Sequence, residues 1–383
     1  MSADIVDAID LLEELVNIDS ANISMGGPGE QQVAARLAGV LEGIGCSVEL
    51  VPGVVGTDRS NLIATLPGNT GGPTLLLEAH TDTVAQTTVP QPVRRADGRV
   101  YGRGSCDTKG SAAAMIAALS RIAARPDHPT VIFAGAVDEE VFMQGAGALV
   151  GQLPPVHGAI VGEPTSLLPV RVHNGMIRFR IVTHGRAAHT SRAHLGENAI
   201  AAAARVVLAI QDELLPQLQK RAHPLAGPAL ITAAVIHGGV ASNLVPDRCE
   251  IDVDRRLGPG EQPDVVMAEI DALLDRLRAD GDDITREEPA IELPAVETPA
   301  DHPLVSLCED ISAEVMGEPA VAVGVPYGTD ASYLSGTAGI PCVVLGPGSI
   351  DQAHTEDEWV KIDEVEQASR IYEELVYRFS AAS

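Results

Sequence analysis

Two hydrophobic rhythms alternate along this chain. Ile5, Ile9, Leu12 and Val16 recur at helical spacing and predict an amphipathic helix over Asp4–Ile18. A second helix is expected over Glu30–Ile44, closed by Gly45. Val48–Val51 and Asn61–Leu66 read as strands, the latter ending at a Pro67-Gly68 turn. Leu75–Glu78, Val131–Val137 and Ala159–Gly162 are short unbroken apolar runs, the pattern of strands buried on both faces. Thr108–Ala124 is an Ala-rich helix that starts directly after Asp107. This alternation predicts an α/β domain: a mixed, mostly parallel sheet with helices on both faces.

The rhythm changes near residue 172. Ile177–His184 alternates like an antiparallel strand with one exposed face, and a helix is expected over Asn198–Gln211. Strands at Ala229–Ile236 and Cys249–Asp254 and a helix over Pro263–Leu277 complete a β-α-β-β-α block, an antiparallel sheet backed by two helices. Glu288–Pro303, rich in Pro and acids, marks the exit. The α/β pattern then resumes with Leu304–Met316, Pro341–Leu345 and Ile362–Phe379. The expected division is a first domain made of residues 1–173 and 291–383, interrupted by an α+β domain over 174–290.

A chain of 383 residues agrees with two cores rather than one. Its 26 basic and 53 acidic residues leave a net charge of −27, which argues against nucleic acid or an anionic membrane as partner. Cys46, Cys106, Cys249, Cys308 and Cys342 are widely spaced and form no CxxC pair, the usage of a reducing compartment. Cys106 beside Asp107 reads as filler in a tight turn, because no His partner stands nearby in sequence to activate it. The Met1–Asp4 start lacks a signal-peptide pattern, and no apolar run approaches the ~20 residues that span a bilayer. The expected location is the cytoplasm.

Candidate chemistry gathers where apolar runs end. Leu75–His80 continues to Asp82; Val131–Val137 leads into Asp138-Glu139-Glu140; Ala159–Gly162 ends on Glu163; Val343–Gly346 points towards His354. Open parallel sheets place their sites at strand C-termini. His80 and Asp82 lie two apart and share a face, so one can bind metal while the other holds the imidazole, or both can approach the site. Alone, the pair is also compatible with a capped strand end. Asp107, in the turn Gly102-Arg-Gly-Ser-Cys-Asp107-Thr-Lys-Gly110, is either a helix N-cap or a site acid. Glu139 and Glu140 diverge as neighbours, so they suit different tasks, or simply a solvated loop. A lone His such as His354 is more often structural than catalytic. Two His and several acids at buried strand ends suit a two-metal hydrolytic centre.

These segments, in this order, resemble the M20 metallopeptidases, the group that includes acetylornithine deacetylase, succinyl-diaminopimelate desuccinylase, aminoacylase and glutamate carboxypeptidase. The matching motifs are His80-Thr-Asp82, Gly102–Gly110, Asp138-Glu-Glu140, Gly162-Glu163-Pro-Thr and Ala353-His354-Thr. The resemblance implies a di-zinc exopeptidase-like fold. It implies His80, Asp107 and Glu163 on one metal and Asp107, Glu140 and His354 on the other, with Asp107 bridging. It makes Asp82 the acid that orients His80, and Glu139 the general base. The cofactors implied are two divalent ions, zinc first, with cobalt or manganese as alternatives.

The inserted block resembles the family's lid, which carries the dimer contact. Gly185-Arg-Ala-Ala-His189 looks like the motif whose His stabilises an oxyanion in the neighbouring subunit; the bland alternative is a surface His. Asn243 and Arg256, chosen over Arg255, resemble the residues that grip a substrate carboxylate, as do Gly328 and Thr329. Val141 stands where Gly often follows the Glu pair, and Thr108 replaces a Met. The Arg-rich segment associated with desuccinylases is absent after Asn174-Gly175, which lowers that reading. The expected activity is hydrolysis of an N-acyl amino acid, as in acetylornithine deacylation, by a cytoplasmic homodimer. A dipeptidase or carboxypeptidase is the first alternative, and a metal-dependent binding protein without turnover the second.

Overall fold

The structure is a computed structural model and describes residues 5–86 and 92–381. The chain divides into two compact units. One holds the residues up to Arg171 with Thr298–Val323 and the segment from Thr329; the other holds Val172–Glu297 with Gly324–Gly328.

The first unit is built on a mixed sheet. Its order is Ser47–Pro52, Ser60–Leu66, Val131–Ala136, Leu75–His80, Gly158–Val161, Cys342–Val344, and then the strand that begins at Val170. The four strands from Val131–Ala136 to Cys342–Val344 run parallel, and the flanking pairs are antiparallel. Every residue of Leu75–His80 and of Val131–Ala136 is buried, as their unbroken apolar runs require. The expected α/β class with a mixed sheet is thus what the chain adopts.

Helix Lys109–Ala123 packs against Ala8–Val16 and Ile362–Ala381. It is buried almost all round, which its Ala and Ser side chains permit. Helix Ala8–Val16 is shorter than the expected Asp4–Ile18. Asp7 caps it through Oδ1, accepting from the amides of Ile9 and Asp10, and Asp4 lies outside the described residues. Gln31–Ile44 ends, as expected, on Gly45 in the left-handed region, φ 102°.

One small sheet is not predicted by the hydrophobic pattern. Arg94–Ala96, Arg99–Tyr101 and Trp359–Lys361 form a small antiparallel sheet. Arg94 stacks on Tyr101 and Arg99 on Trp359, each 3.9 Å from the ring centre. Three-residue strands carrying arginines show no apolar period, so periodicity could not reveal them. This sheet fixes Glu358, directly before Trp359.

The second unit is an antiparallel sheet in the order Leu230–Gly238, Arg248–Leu257, Gly175–His184, Asp283–Arg286, with Ile291–Leu293 also paired to Gly175–His184. Helices Ala199–Ala209 and Pro263–Ala279 share its core with Ile177, Phe179, Ile181, Ile251 and Val253. Among the described residues no helix is long and apolar enough to cross a membrane.

Candidate metal centre

The parallel strands deliver their last residues to one edge. His80 ends its strand, Asp138–Glu140 follow Val131–Ala136, Glu163 follows Gly158–Val161, and the chain after Cys342–Val344 reaches His354. Asp107 comes from the other direction, just ahead of helix Lys109–Ala123. It does not cap that helix: Thr108 occupies the cap position, without a side-chain cap bond. Gly104, at φ 81°, lets the preceding turn close, since a Cβ there would sit 2.7 Å from a Thr83 methyl.

The Asp107 carboxylate stands between two imidazoles. Its Oδ1 is 3.0 Å from His80 Nε2, and its Oδ2 is 3.3 Å from His354 Nε2. His354 Nε2 also lies 2.9 Å from Glu140 Oε2, and His80 Nε2 is 4.0 Å from Glu163 Oε1. His80, Asp107 and Glu163 each offer a donor atom within 4.8 Å of the others, and so do Asp107, Glu140 and His354. The two triads share Asp107.

Asp82 is fully buried, and its carboxylate accepts from the backbone amides of Glu139 (3.0 Å) and Glu140 (3.2 Å). It thereby ties the acidic turn to the end of the His80 strand. His80 Nδ1 meets the Asp82 carbonyl at 3.0 Å, with the carboxylate Oδ1 at 3.6 Å. His80 therefore presents Nε2 to the centre, its other nitrogen engaged by backbone. The Glu139 side chain is partly exposed, and its carboxylate has no hydrogen-bond partner among the described residues.

The electrostatics of this donor set fit cations. Burial, reinforced by neighbouring carboxylates, pushes Glu139, Glu140 and Glu163 above the usual carboxylate range. Burial also raises Asp107, but hydrogen bonds from His354 and His80 outweigh it and hold Asp107 low. The Asp107 and Glu140 carboxylates raise His354 to about 10, and His80 is raised well above its ordinary value by Asp107 and Asp82 against the effect of burial. Four acids and two imidazoles so close together compensate each other only by retaining protons. Imidazole nitrogens and carboxylate oxygens suit zinc, manganese or cobalt.

One contributor, Glu358, carries no local sequence signal. Glu358 Oε1 accepts from the amides of Cys106 (2.9 Å) and Asp107 (3.0 Å), while its Oε2 takes Arg103 Nη1 at 2.6 Å. Glu78 and Asp330 are buried acids of the same unit; burial lifts Glu78 to about 8, and burial with the Glu78 charge lifts Asp330. An acid inside an apolar run was a usable hint for Glu78. Cys106 is buried, its thiol on the Ser349 carbonyl at 3.4 Å, and burial raises it far above the reactive range, as expected of filler.

In the first unit Thr329 is buried, and its hydroxyl accepts from the Ala331 amide at 3.2 Å. The remaining residues lie in the second unit. The Thr190 amide donates to the Asn243 carbonyl at 3.0 Å, and His189 pairs with Leu244, so the exposed His189 and Asn243 share one loop region. His189 Nδ1 is 2.8 Å from Ser191 Oγ. Arg255 is buried against Glu261 at 2.7 Å, whereas Arg256 is half-buried with Nε on Asp254 at 2.8 Å. Gly328 is half-buried beside the Asn174 carbonyl.

The profile of peptidase family M20/M25/M40 matches residues 76–378. The chain belongs to that family. It is a metal-dependent enzyme acting on amide or peptide bonds, and two divalent metals are its cofactors. The acetylornithine deacetylase of Proteus mirabilis (strain HI4320) is 33% identical over 362 residues, 90% of this chain and 89% of that protein. The acetylornithine deacetylase of Vibrio cholerae serotype O1 (strain M66-2) is 31% identical over 370 residues, 92% of each. Among solved structures, a tripeptidase from Staphylococcus aureus superposes with a TM-score of 0.84 at 22% identity, covering 99% of this chain and 100% of that one. The YXEP protein of Bacillus subtilis, a dinuclear metal binding peptidase, has a TM-score of 0.74 at 18% identity, covering 98% of each. These two superpositions concern the fold.

Proposed function

We propose that this M20 enzyme is a di-zinc deacylase that cleaves the amide of an N-acyl amino acid bearing a free α-carboxylate. The observation that carries the reading is the Asp107 carboxylate standing between His80 and His354, with the uncommitted Glu139 on the adjoining turn. The substrate class rests on the acetylornithine deacetylases, which align over nine-tenths of the chain.

In this reading His80, Asp107 and Glu163 hold one ion, and Asp107, Glu140 and His354 the other. The ions, when bound, supply a polarised scissile carbonyl and a water whose pKa falls towards ~7. Glu139 accepts the proton of that water and hands it to the leaving amine, a task suited to an acid already pushed up by burial. Asp82 keeps Glu139 and Glu140 in place through their amides. Arg256, Asn243, Gly328 and Thr329 bind the substrate carboxylate. The buried position of Arg255 against Glu261 supports the choice of Arg256.

Residues 174–290 are assigned as a lid that also dimerises, set into a metal-binding domain made of 1–173 and 291–383. The edge strand Leu230–Gly238 supports a homodimer, since it exposes Leu230, Val235 and Ile236. His189, exposed on its own unit, is assigned to the oxyanion in the partner's site. Sedimentation showing only monomer at micromolar concentration overturns both assignments. Five free, buried cysteines support a cytoplasmic location.

The decisive experiment is hydrolysis profiling of zinc-, cobalt- and manganese-reconstituted protein on N-acetyl amino acids, dipeptides and tripeptides. N-acetylated amino acids with a free carboxylate, N-acetylornithine among them, are expected to show the highest kcat/KM, with zinc. Higher kcat/KM on dipeptides or on peptides cleaved at the C-terminus overturns the deacylase reading in favour of a dipeptidase or carboxypeptidase on the same metals.

A further inference from the structure

Asp82 can register the acidic turn only if Asp82 and the turn are themselves fixed, and one buried side chain touches both. Asn22 is fully buried. Its Nδ2 donates to Asp82 Oδ2 at 2.8 Å and to Asp138 Oδ1 at 3.1 Å. Asn22 is in turn held by its backbone. Its amide donates to the Thr83 carbonyl at 2.9 Å, and its Oδ1 accepts the Ser24 amide at 2.9 Å.

Asp138 is the first residue of the turn and sits at φ 70°, a conformation that costs a non-glycine residue about 1–2 kcal/mol. The surroundings over-determine it. Arg59 Nη1 donates to its Oδ1 at 2.8 Å, Gln144 Nε2 to its Oδ2 at 3.1 Å, and its own amide reaches Glu30 Oε1 at 3.3 Å. Arg59 is clamped by both oxygens of Glu30. The Asp138 carbonyl accepts from Phe142 and Met143, closing the turn behind Glu140. A buried chain therefore runs Glu30–Arg59–Asp138–Asn22–Asp82 and ends on the amides of Glu139 and Glu140.

We propose that Asn22 is a positioning residue for catalysis: it locks Asp82 and Asp138 together, so that Glu139 is presented at one fixed place beside the two metal triads. An amide suits the position because it gives two hydrogens to two carboxylates without adding a third negative charge. Displacement of a catalytic group by about 1 Å costs on the order of 100-fold in rate. The inference rests on Glu139 being the base, and the experiment separates the two.

Asn22→Leu and Asn22→Ser are prepared with zinc restored, alone and combined with Glu139→Gln. Asn22→Leu is expected to lower kcat about 100-fold. KM is expected to stay within about threefold, with two metals still bound per chain. Asn22→Ser, which keeps one donor, is expected to recover part of kcat. In the metal-free protein, hydrogen exchange at the Glu139 and Glu140 amides is expected to speed up in Asn22→Leu, whatever the activity. Adding Asn22→Leu to Glu139→Gln is expected to cause no further loss, because the base it positions is already gone.

If Glu139→Gln keeps near wild-type turnover, the base reading fails. If Glu139→Gln is dead but both Asn22 variants keep kcat within twofold, the positioning inference fails alone. It fails equally if their losses track lost metal or simply multiply with the Glu139→Gln loss. Where Asn22→Leu does not fold, Asn22→Ser decides on the same readouts, with kcat expected to fall below wild type at unchanged metal content.

Discussion

Glu358 accepts the backbone amide of Asp107 at 3.0 Å across 251 residues of chain. The carboxylate shared by both metal triads is therefore placed by a second, remote carboxylate, which Arg103 neutralises at 2.6 Å. Glu358→Ala leaves two buried amides and a guanidinium without their acceptor. Removing an outer partner of this kind weakens metal affinity about 10–100-fold, and breaking a buried pair costs about 3–5 kcal/mol. Chelator competition and chemical denaturation measure the two effects. Adding Arg103→Met is expected to restore part of the stability but not the affinity, because the Asp107 amide stays unsupported.

Metal binding to this centre is expected to tighten as pH rises. Burial and mutual repulsion push Glu139, Glu140 and Glu163 up, and His354 stands near 10, so the metal-free centre holds protons at neutral pH. Each divalent ion must displace them. Calorimetry in two buffers of different ionisation enthalpy should show net proton release. Apparent zinc affinity should rise between about pH 6 and 8, the span below the His354 value; an affinity flat over that range contradicts the proton-loaded description.

Glu139→Gln removes a carboxylate that has no hydrogen-bond partner among the described residues. The change keeps size and hydrogen-bonding shape but cannot take a proton. With Glu139 as the proposed general base, kcat is expected to fall about 100- to 10,000-fold. Metal content by elemental analysis is expected to remain at two per chain, which separates this variant from Glu140→Gln, where removing a proposed ligand is expected to lower occupancy.

What was legible in the sequence follows from range. His80, Glu163 and the Asp138–Glu140 turn were found because each directly follows an apolar run, and a parallel sheet sends such ends to one edge. Most helices and buried strands lie within a few residues of where period and caps such as Gly45 place them, but helix Gln144–Val150 and strand Val170–His173 are not among those predicted. Asn22, Arg59 and Glu358 were invisible because their partners lie 60, 79 and 251 residues away, and nothing local marks a buried amide or ion pair as belonging to a site. The small arginine-bearing sheet escaped for the opposite reason, since its stability comes from stacking on Tyr101 and Trp359 and leaves no apolar alternation. Asp107 was ambiguous between helix cap and site acid, and only its distances to two imidazoles decide where its carboxylate points.

The second unit carries its own pH signature. His173 is fully buried, with Nδ1 3.0 Å from the Asn174 carbonyl, and burial lowers it from 6.5 to about 4. Above about pH 6.5 it is neutral in both folded and unfolded chains, and its contribution to stability is complete. Between about 6.5 and 4 the unfolded chain takes up a proton that the folded chain refuses, so stability falls as pH falls. Below about 4 both forms are protonated and the loss stops growing. A shift of this size corresponds to at most about 3 kcal/mol. Denaturation curves of wild type and His173→Gln at pH 7.5 and 4.5 isolate the effect, because every other titrating group is common to both. The variant is expected to be the less stable at pH 7.5, where the imidazole packs neutral, and to narrow its deficit at pH 4.5. A deficit independent of pH would mean that the folded chain protonates His173 as readily as the unfolded chain does, so that the buried site accommodates the charge.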